Sequence, residues 1–284
     1  MRLSTARLRG PSRRPREHHV SDDDRYRSME RAFGILARQH GVCGCHIHVA
    51  VPDRDCAIAV GNRLRPWLPS LLALTANSRS TAGSIRLCEL AFGHVATLAQ
   101  RRRSPLFGDA HEFDRVVAAM VDTGNILDRG MVYWDVRPSA RFPTVEVRVS
   151  DVPATVEESV LLAVLVRALV VTALRDAEAG SDVADVPGHV LDAAYWRAAR
   201  DGLDGVGVDP ATVTVVPASV LLERMIDSVG DALDHQGLRA VAEDGLRRRV
   251  AAGNGARRQL SAFRRRHSIF DVVETVADLT LQGC

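Results

Sequence analysis

Val145-Glu146-Val147-Arg148-Val149 alternates apolar and polar residues without a break, and this constrains the fold more than any other stretch of the chain. Successive side chains on a strand point to opposite faces, so the valines share one face while Glu146 and Arg148 share the other. Such a strand needs a sheet with one dry face and one polar face. A second strand is predicted over Val42–Val51, where Cys43 and Cys45 point one way and His46 and His48 the other. Both strands are otherwise rich in Val, Ile and Cys, and polar groups in such surroundings have specific partners.

Imidazole, carboxylate and guanidinium on one sheet face are what a divalent metal carrying a nucleotide phosphate requires. For an isolated Glu-x-Arg the ordinary reading is a cross-strand salt bridge on a half-buried sheet. The His-x-His strand shifts that balance toward a phosphate-and-metal arrangement. Asp135-Val136-Arg137 adds a further acid and base, and Arg137 is placed to hold a substrate carboxylate or phosphate bidentately. Cys43, Cys45, His46 and His48 also invite a zinc site. One ion cannot collect ligands from both faces of a strand, however, and the spacing matches no common zinc module. Buried cysteines with hydrogen-bonded histidines remain the plain alternative.

Composition removes several classes of function. The basic residues of this 284-residue chain, 37 in all, are arginines without a single lysine. A P-loop phosphate site of the usual kind and a Schiff-base enzyme both need a lysine amine, so both are excluded. With a net charge of +2, the triplets Arg101–Arg103, Arg247–Arg249 and Arg264–Arg266 read as solvated helix faces, and no nucleic-acid partner is expected. Trp67, Trp134 and Trp196 read as core or rim aromatics. Five cysteines without framework spacing argue for a reducing compartment, and cytoplasmic is the expected location. The arginine-rich residues 1–20 lack the apolar core of a secretory signal. Val156–Leu174 is the nearest approach to a membrane span, but Glu157, Glu158 and Arg167 interrupt it, so no membrane partner is expected.

Residues 1–24, with a run of three aspartates, read as a disordered or atypical start. The remainder, 25–284, reads as a single catalytic-type domain with a sheet-bearing part (25–150) and a helical part (151–284). Helices are predicted over Arg25–His40, Cys56–Leu64 after a cap supplied by Pro52-Asp53-Arg54-Asp55, Pro66–Ala76 and Glu112–Thr123. Met131–Arg137 and Thr144–Val149 are predicted strands of an antiparallel pair, joined by a short connection over 138–143. From Ala154 onward the chain reads as almost wholly helical: Val156–Ala179, Val190–Arg200, Ser219–Asp234, Leu238–Ala251, Gly255–Arg266 and Asp271–Leu281. The fold class is α+β, with a modest antiparallel sheet as platform for the polar cluster and a helical C-terminal half.

At these residues the chain resembles the glutamate–cysteine ligase type two family, bacterial ATP-dependent carboxylate–amine ligases. The resemblance rests on Arg25-Tyr26, Val42-Cys43-Gly44-Cys45-His46-Ile47-His48-Val49, Val51-Pro52-Asp53-Arg54, Arg65-Pro66-Trp67-Leu68-Pro69 and Ala76-Asn77-Ser78. It resumes at Gly130-Met131-Val132-Tyr133-Trp134-Asp135-Val136-Arg137-Pro138-Ser139 and Pro143-Thr144-Val145-Glu146-Val147-Arg148. It implies a glutamine synthetase-like fold with its active site on a curved antiparallel sheet. It further implies His46 and Glu146 as metal ligands, His48 and Arg148 beside ATP phosphates, and Arg148 as the catalytic group that stabilises the transferring phosphoryl; Arg137, from its place before the connection, is the second catalytic candidate. The cofactors implied are ATP and Mg2+, and the substrates L-glutamate and L-cysteine or another amine.

The reaction implied is weak glutamate–cysteine ligase activity through a γ-glutamyl phosphate. A catalytically inactive remnant that retains at most nucleotide or partner binding is the alternative, and assembly into a homo-oligomer is left open. Two departures stand out. The family's glutamate-rich first strand has no counterpart here, as though the chain were truncated at its N-terminus. Residues 79–105 also replace a substrate-binding loop, a replacement that a shifted reading frame through GC-rich codons would account for.

Overall fold

The computed structural model describes residues 22–34, 37, 43–77, 80–81, 84–85 and 103–282. Of the predicted disordered start over 1–24, residues 1–21 lie outside the described residues, while Asp23 caps and Asp24 opens the first helix; most of the altered segment 79–105 also lies outside them. In chain order the first elements are α1 (Asp24–Phe33), β1 (Gly44–Ala50), α2 (Arg54–Leu64) and α3 (Leu68–Thr75). A two-residue ladder of β2 (Ser80–Thr81) and β3 (Ser84–Ile85) follows, then α4 (Ala110–Asp122), a 3-10 turn (Arg129–Met131), β4 (Val136–Pro138) and β5 (Thr144–Asp151). The second half comprises α5 (Val156–Glu178), α6 (Gly188–Asp201), β6 (Val206–Asp209), β7 (Thr214–Pro217), α7 (Ala218–Ser228), α8 (Gly230–His235), α9 (Arg239–Ala252), α10 (Gly255–Arg266) and α11 (Ile269–Leu281).

The functional platform is a three-stranded antiparallel sheet in the order β1-β5-β4. Its central strand is the alternating one. Val145, Val147 and Val149 are buried against α2 and α3 in the main core, which also takes in Leu64, Leu68, Leu71, Leu72 and, from α5, Leu162 and Leu165. Burying a valine contributes roughly 1.5–3 kcal/mol, so a one-residue slip of β5 would expose three of them and bury Glu146 and Arg148 in their place. That penalty locks the register. In β1, Cys45, Ile47 and Val49 pack partly against the same core while His46 and His48 lie on the open face.

A smaller aromatic core supports the β4 side. Trp134 packs between Phe107 and Phe113, with ring centroids 5.1 and 5.4 Å away, beside Ile58, Val117, Met131 and Val132. Capping follows the sequence: the Asp53 side chain accepts the Cys56 N–H at 2.7 Å to start α2. Arg25 reaches across to Asp128 with two hydrogen bonds of 2.7 and 3.1 Å, tying α1 to the turn before the 3-10 segment.

Several boundaries differ from expectation for local reasons. The predicted strand over Met131–Arg137 shortens to Val136–Pro138. Met131 closes a 3-10 turn on the Asp128 carbonyl, and Met131, Val132 and Trp134 are all buried in the aromatic core, so the alternation a strand requires is missing. The predicted helix over 219–234 breaks at Val229, with α7 and α8 on either side. The Arg239 guanidinium lies over Gly230, at a position any β-carbon there would collide with. The β6–β7 hairpin interrupts the helical half; its turn carries Val213 at φ 55°, a strained conformation for a β-branched residue. α1 is described only to Phe33, with Gly34 as its C-cap. No helix among the described residues is long and apolar enough to cross a membrane.

Candidate active site

Glu146 stands at the centre of the open sheet face. It pairs directly with His48 of β1 on one side and Arg137 of β4 on the other. Cross-strand neighbours on one face lie about 4.5–5.5 Å apart at Cβ, so the pleat alone brings imidazole, carboxylate and guanidinium into a row. Diagonal neighbours complete the set. Glu146 Oε1 lies 3.0 Å from His46 Nδ1, 3.1 Å from Arg148 Nη1 and 4.0 Å from His48 Nε2, and Oε2 accepts Arg137 Nε at 2.9 Å. All five predicted site residues therefore meet at one carboxylate.

Glu146 is only 4% exposed. Burial pushes its carboxyl upward, but the His46 hydrogen bond and the adjacent Arg137 and Arg148 charges outweigh burial and bring it down to about 2. It is therefore ionised at neutral pH. One carboxylate against two guanidiniums leaves a surplus of positive charge on this face, which suits an incoming anion.

Three features orient the cluster. First, the β1–β5 ladder carries a bulge: Cys45 pairs with Ser150 and Ile47 with Val147, so Arg148 and Val149 together oppose His46. A bulge re-aims side chains; here the Arg148 N–H bonds to the Asp135 carbonyl at 2.8 Å and its guanidinium turns toward Glu146. Second, that guanidinium lies over the Tyr133 ring, 5.6 Å from its centroid. Third, Thr144 Oγ1 and His48 Nδ1 are 2.9 Å apart, which fixes the ring orientation and leaves Nε2 facing Glu146. Arg137 is also held from behind, its Nη1 donating to the Val132 carbonyl.

Thr144 and Tyr133 were not singled out from the sequence. Thr144 was within reach, because it shares the β5 parity of Glu146 and Arg148; Tyr133 was not, because its position depends on the 3-10 turn. Asp135 is buried beside this cluster and enters it through its backbone carbonyl. Cys43, Cys45 and Cys56 carry free thiols, and the face alternation of β1 separates Cys45 from the histidines. Among the described residues no group of three or more His, Cys, Asp or Glu could by itself hold a metal ion.

The solved glutamate–cysteine ligase of Francisella tularensis, in complex with AMP, superposes with a TM-score of 0.55 at 12% identity, covering 81% of this chain and 59% of that one; the likeness is one of fold. The profile of glutamate-cysteine ligase family 2 matches residues 9–275, and the chain belongs to that family. A Mycobacterium sp. (strain KMS) protein named "Putative glutamate–cysteine ligase 2-2" is 48% identical over 272 residues, which is 94% of this chain and 74% of the relative. The Nocardia farcinica "Putative glutamate–cysteine ligase 2-1" is 47% identical over 275 residues, 95% of this chain and 71% of the relative.

Proposed function

We propose that this chain is an ATP-dependent carboxylate–amine ligase that joins L-glutamate to L-cysteine or a related amine through a γ-glutamyl phosphate. The observation that carries the reading is the Glu146 carboxylate held between Arg137 and Arg148 on the face that also bears His46 and His48. Family membership and an AMP-bound neighbour of the same fold support it.

In the first step a glutamate γ-carboxylate oxygen attacks the terminal phosphorus of ATP, and the bond to the bridging oxygen breaks to release ADP. Arg148 and Arg137 are the catalytic groups: their fixed N–H donors face the phosphoryl oxygens as charge shifts during transfer. His48, held by Thr144, and Arg148 bind the nucleotide phosphates. In the second step the amine attacks the acyl carbon and phosphate leaves. The half-buried arginines cost little reorganisation because Glu146, Val132 and Tyr133 already orient them.

The donor chemistry defines what metal fits. At nucleotide sites Mg2+ is held by one or two carboxylates together with phosphate oxygens and water. Glu146, with His46 beside it, supplies one carboxylate, which fits an ion arriving with the nucleotide. That ion would neutralise phosphate charge and polarise the transferred phosphoryl group. The odd number of cysteines, with free thiols at Cys43, Cys45 and Cys56 among the described residues, supports a cytoplasmic setting.

A second reading, nucleotide binding without turnover, is favoured by one fact: both Glu146 oxygens are already engaged by His46, Arg137 and Arg148. The deciding experiment is phosphate release from Mg-ATP with L-glutamate and L-cysteine. Release that depends on glutamate and disappears in Glu146→Ala supports the ligase. ATP binding with no release supports the second reading, and no ATP binding by the folded chain sinks both.

A further inference from the structure

α5 begins at a reciprocal cap. Thr155 Oγ1 accepts the Glu158 N–H at 3.3 Å, and Glu158 Oε2 accepts the Ala154 N–H at 3.1 Å. The other oxygen of Glu158 receives two guanidiniums: Arg249 Nη1 from α9 and, at 2.5 Å, Arg258 Nη2 from α10. Arg249 is 6% exposed. The Nε–H groups of both arginines are buried and have no hydrogen-bond partner among the described residues. The cluster lines a cleft of about 450 Å³, shared with Thr155, Glu157, Leu161 and Arg248.

Among the described residues the charges in this cleft do not balance. The buried Arg249 and the half-buried Arg258 meet one half-buried carboxylate, Arg248 adds a third positive group against the exposed Glu157, and the α5 N-terminus contributes partial positive charge. Arginine does not shed its proton near neutral pH, and a buried charge without a counter-charge is costly. Burial and the neighbouring Arg258 push Arg249 down to about 10, which still leaves it protonated. A structural clasp of α9 and α10 onto α5 accounts for one guanidinium from each helix but not for the two unused Nε donors.

We propose that this cleft is a binding site for an oxyanion, a carboxylate or phosphoryl group, that supplies the missing negative charge to Arg249 and Arg258. No residue lining it belongs to β1, β4 or β5, so the site is separate from the Glu146 cluster. Both Nε groups are shielded in the structure, so entry turns the guanidiniums outward and exchanges part of their bonding to Glu158 for bidentate bonding to the ligand. Glu158 is thus a resident competitor of the ligand. The proposal does not depend on the ligase reading.

The test is calorimetric titration of the full chain with inorganic phosphate and, separately, with succinate at constant ionic strength, in wild type, Arg258→Gln and Glu158→Gln. Anion binding at the Glu146 cluster is common to all three, so differences between them report the cleft. Arg258→Gln is expected to weaken binding about tenfold, and Glu158→Gln to strengthen it by about the same factor, because the rival carboxylate is gone. Phosphate alone identifies a phosphoryl ligand, succinate alone a carboxylate, and both a general oxyanion site. The proposal is overturned if neither anion binds, or if Glu158→Gln leaves the affinity unchanged or lower. Should Arg258→Gln fail to fold, the exposed Arg248→Ala replaces it: weakened binding supports the site and unchanged binding counts against it.

Discussion

Arg137 and Glu146 are directly paired residues of β4 and β5, and Arg137 Nε donates to Glu146 Oε2 at 2.9 Å while Nη1 reaches back to the Val132 carbonyl. A single guanidinium therefore joins the carboxylate at the centre of the sheet to the segment that leads into the aromatic core. Its planar fork satisfies both acceptors at once, which a lysine ammonium on a flexible stem does not.

Arg137→Lys is accordingly expected to fold but to lose about 10²–10³-fold in kcat, the effect typical of removing one fixed donor from a charge-stabilising site. Steady-state phosphate release at saturating ATP and glutamate measures it. A variant with wild-type kcat would remove Arg137 from the catalytic groups.

The Glu146 carboxyl titrates at about 2 in the folded chain, below its ordinary value, so the stabilisation it brings is fully present above about pH 5 and is lost as pH falls through the native value. Between about pH 5 and pH 3 this amounts to about 2 kcal/mol. Glu146→Gln should be less stable than wild type near neutrality, with the gap narrowing by about that amount at about pH 3. Urea unfolding of both proteins at the two pH values is the measurement, and a gap independent of pH would contradict the ion-paired state.

Removing the Glu146 side chain outright leaves Arg137 and Arg148 without their shared counter-charge. Glu146→Ala should therefore destabilise the fold by roughly 3–5 kcal/mol. The double variant Glu146→Ala/Arg148→Met should recover part of that loss. Denaturant midpoints of the two variants test this, and additive destabilisation would contradict it.

Thr144→Val keeps the β-branched shape of the strand residue and removes the hydroxyl beside His48 Nδ1. The expected stability change is about 1 kcal/mol or less, because the group lies at a partly exposed edge. The sharper consequence is a raised KM for ATP with little change in kcat, since His48 is assigned to phosphate binding. A fall in kcat alone would move His48 to another role.

Trp134→Ala opens the aromatic core between Phe107 and Phe113 and should cost about 3–5 kcal/mol. Because Val132 lies in the same core and holds Arg137, the variant should also weaken the site at temperatures where it remains folded. Thermal unfolding followed by near-UV circular dichroism reads the first effect, and kcat at low temperature the second.

Much of the site was legible in the sequence because strand side chains alternate with a period of two whatever surrounds them. His46 with His48, and Glu146 with Arg148, had to share faces once those segments were extended. The antiparallel pairing of β4 with β5 followed from the short connection over 138–143, and the long apolar-faced α5 and the Asp53 cap were equally local signals.

The arrangement of these pieces was a tertiary matter. Nothing near residue 46 indicates that β1 lies beside β5, a hundred residues away, or that β5 is the central strand. That order is set by covering the valine face of β5 with α2 and α3 and the adjoining face of β1 with α5. The bulge opposite His46, the Tyr133 ring against Arg148 and the meeting of Arg249 and Arg258 at Glu158 likewise depend on residues distant in sequence. Alone, the sequence determined which side chains share a face, because that depends on local backbone geometry. Only the packed structure decided which faces meet, because that depends on burying apolar surface contributed by the whole chain.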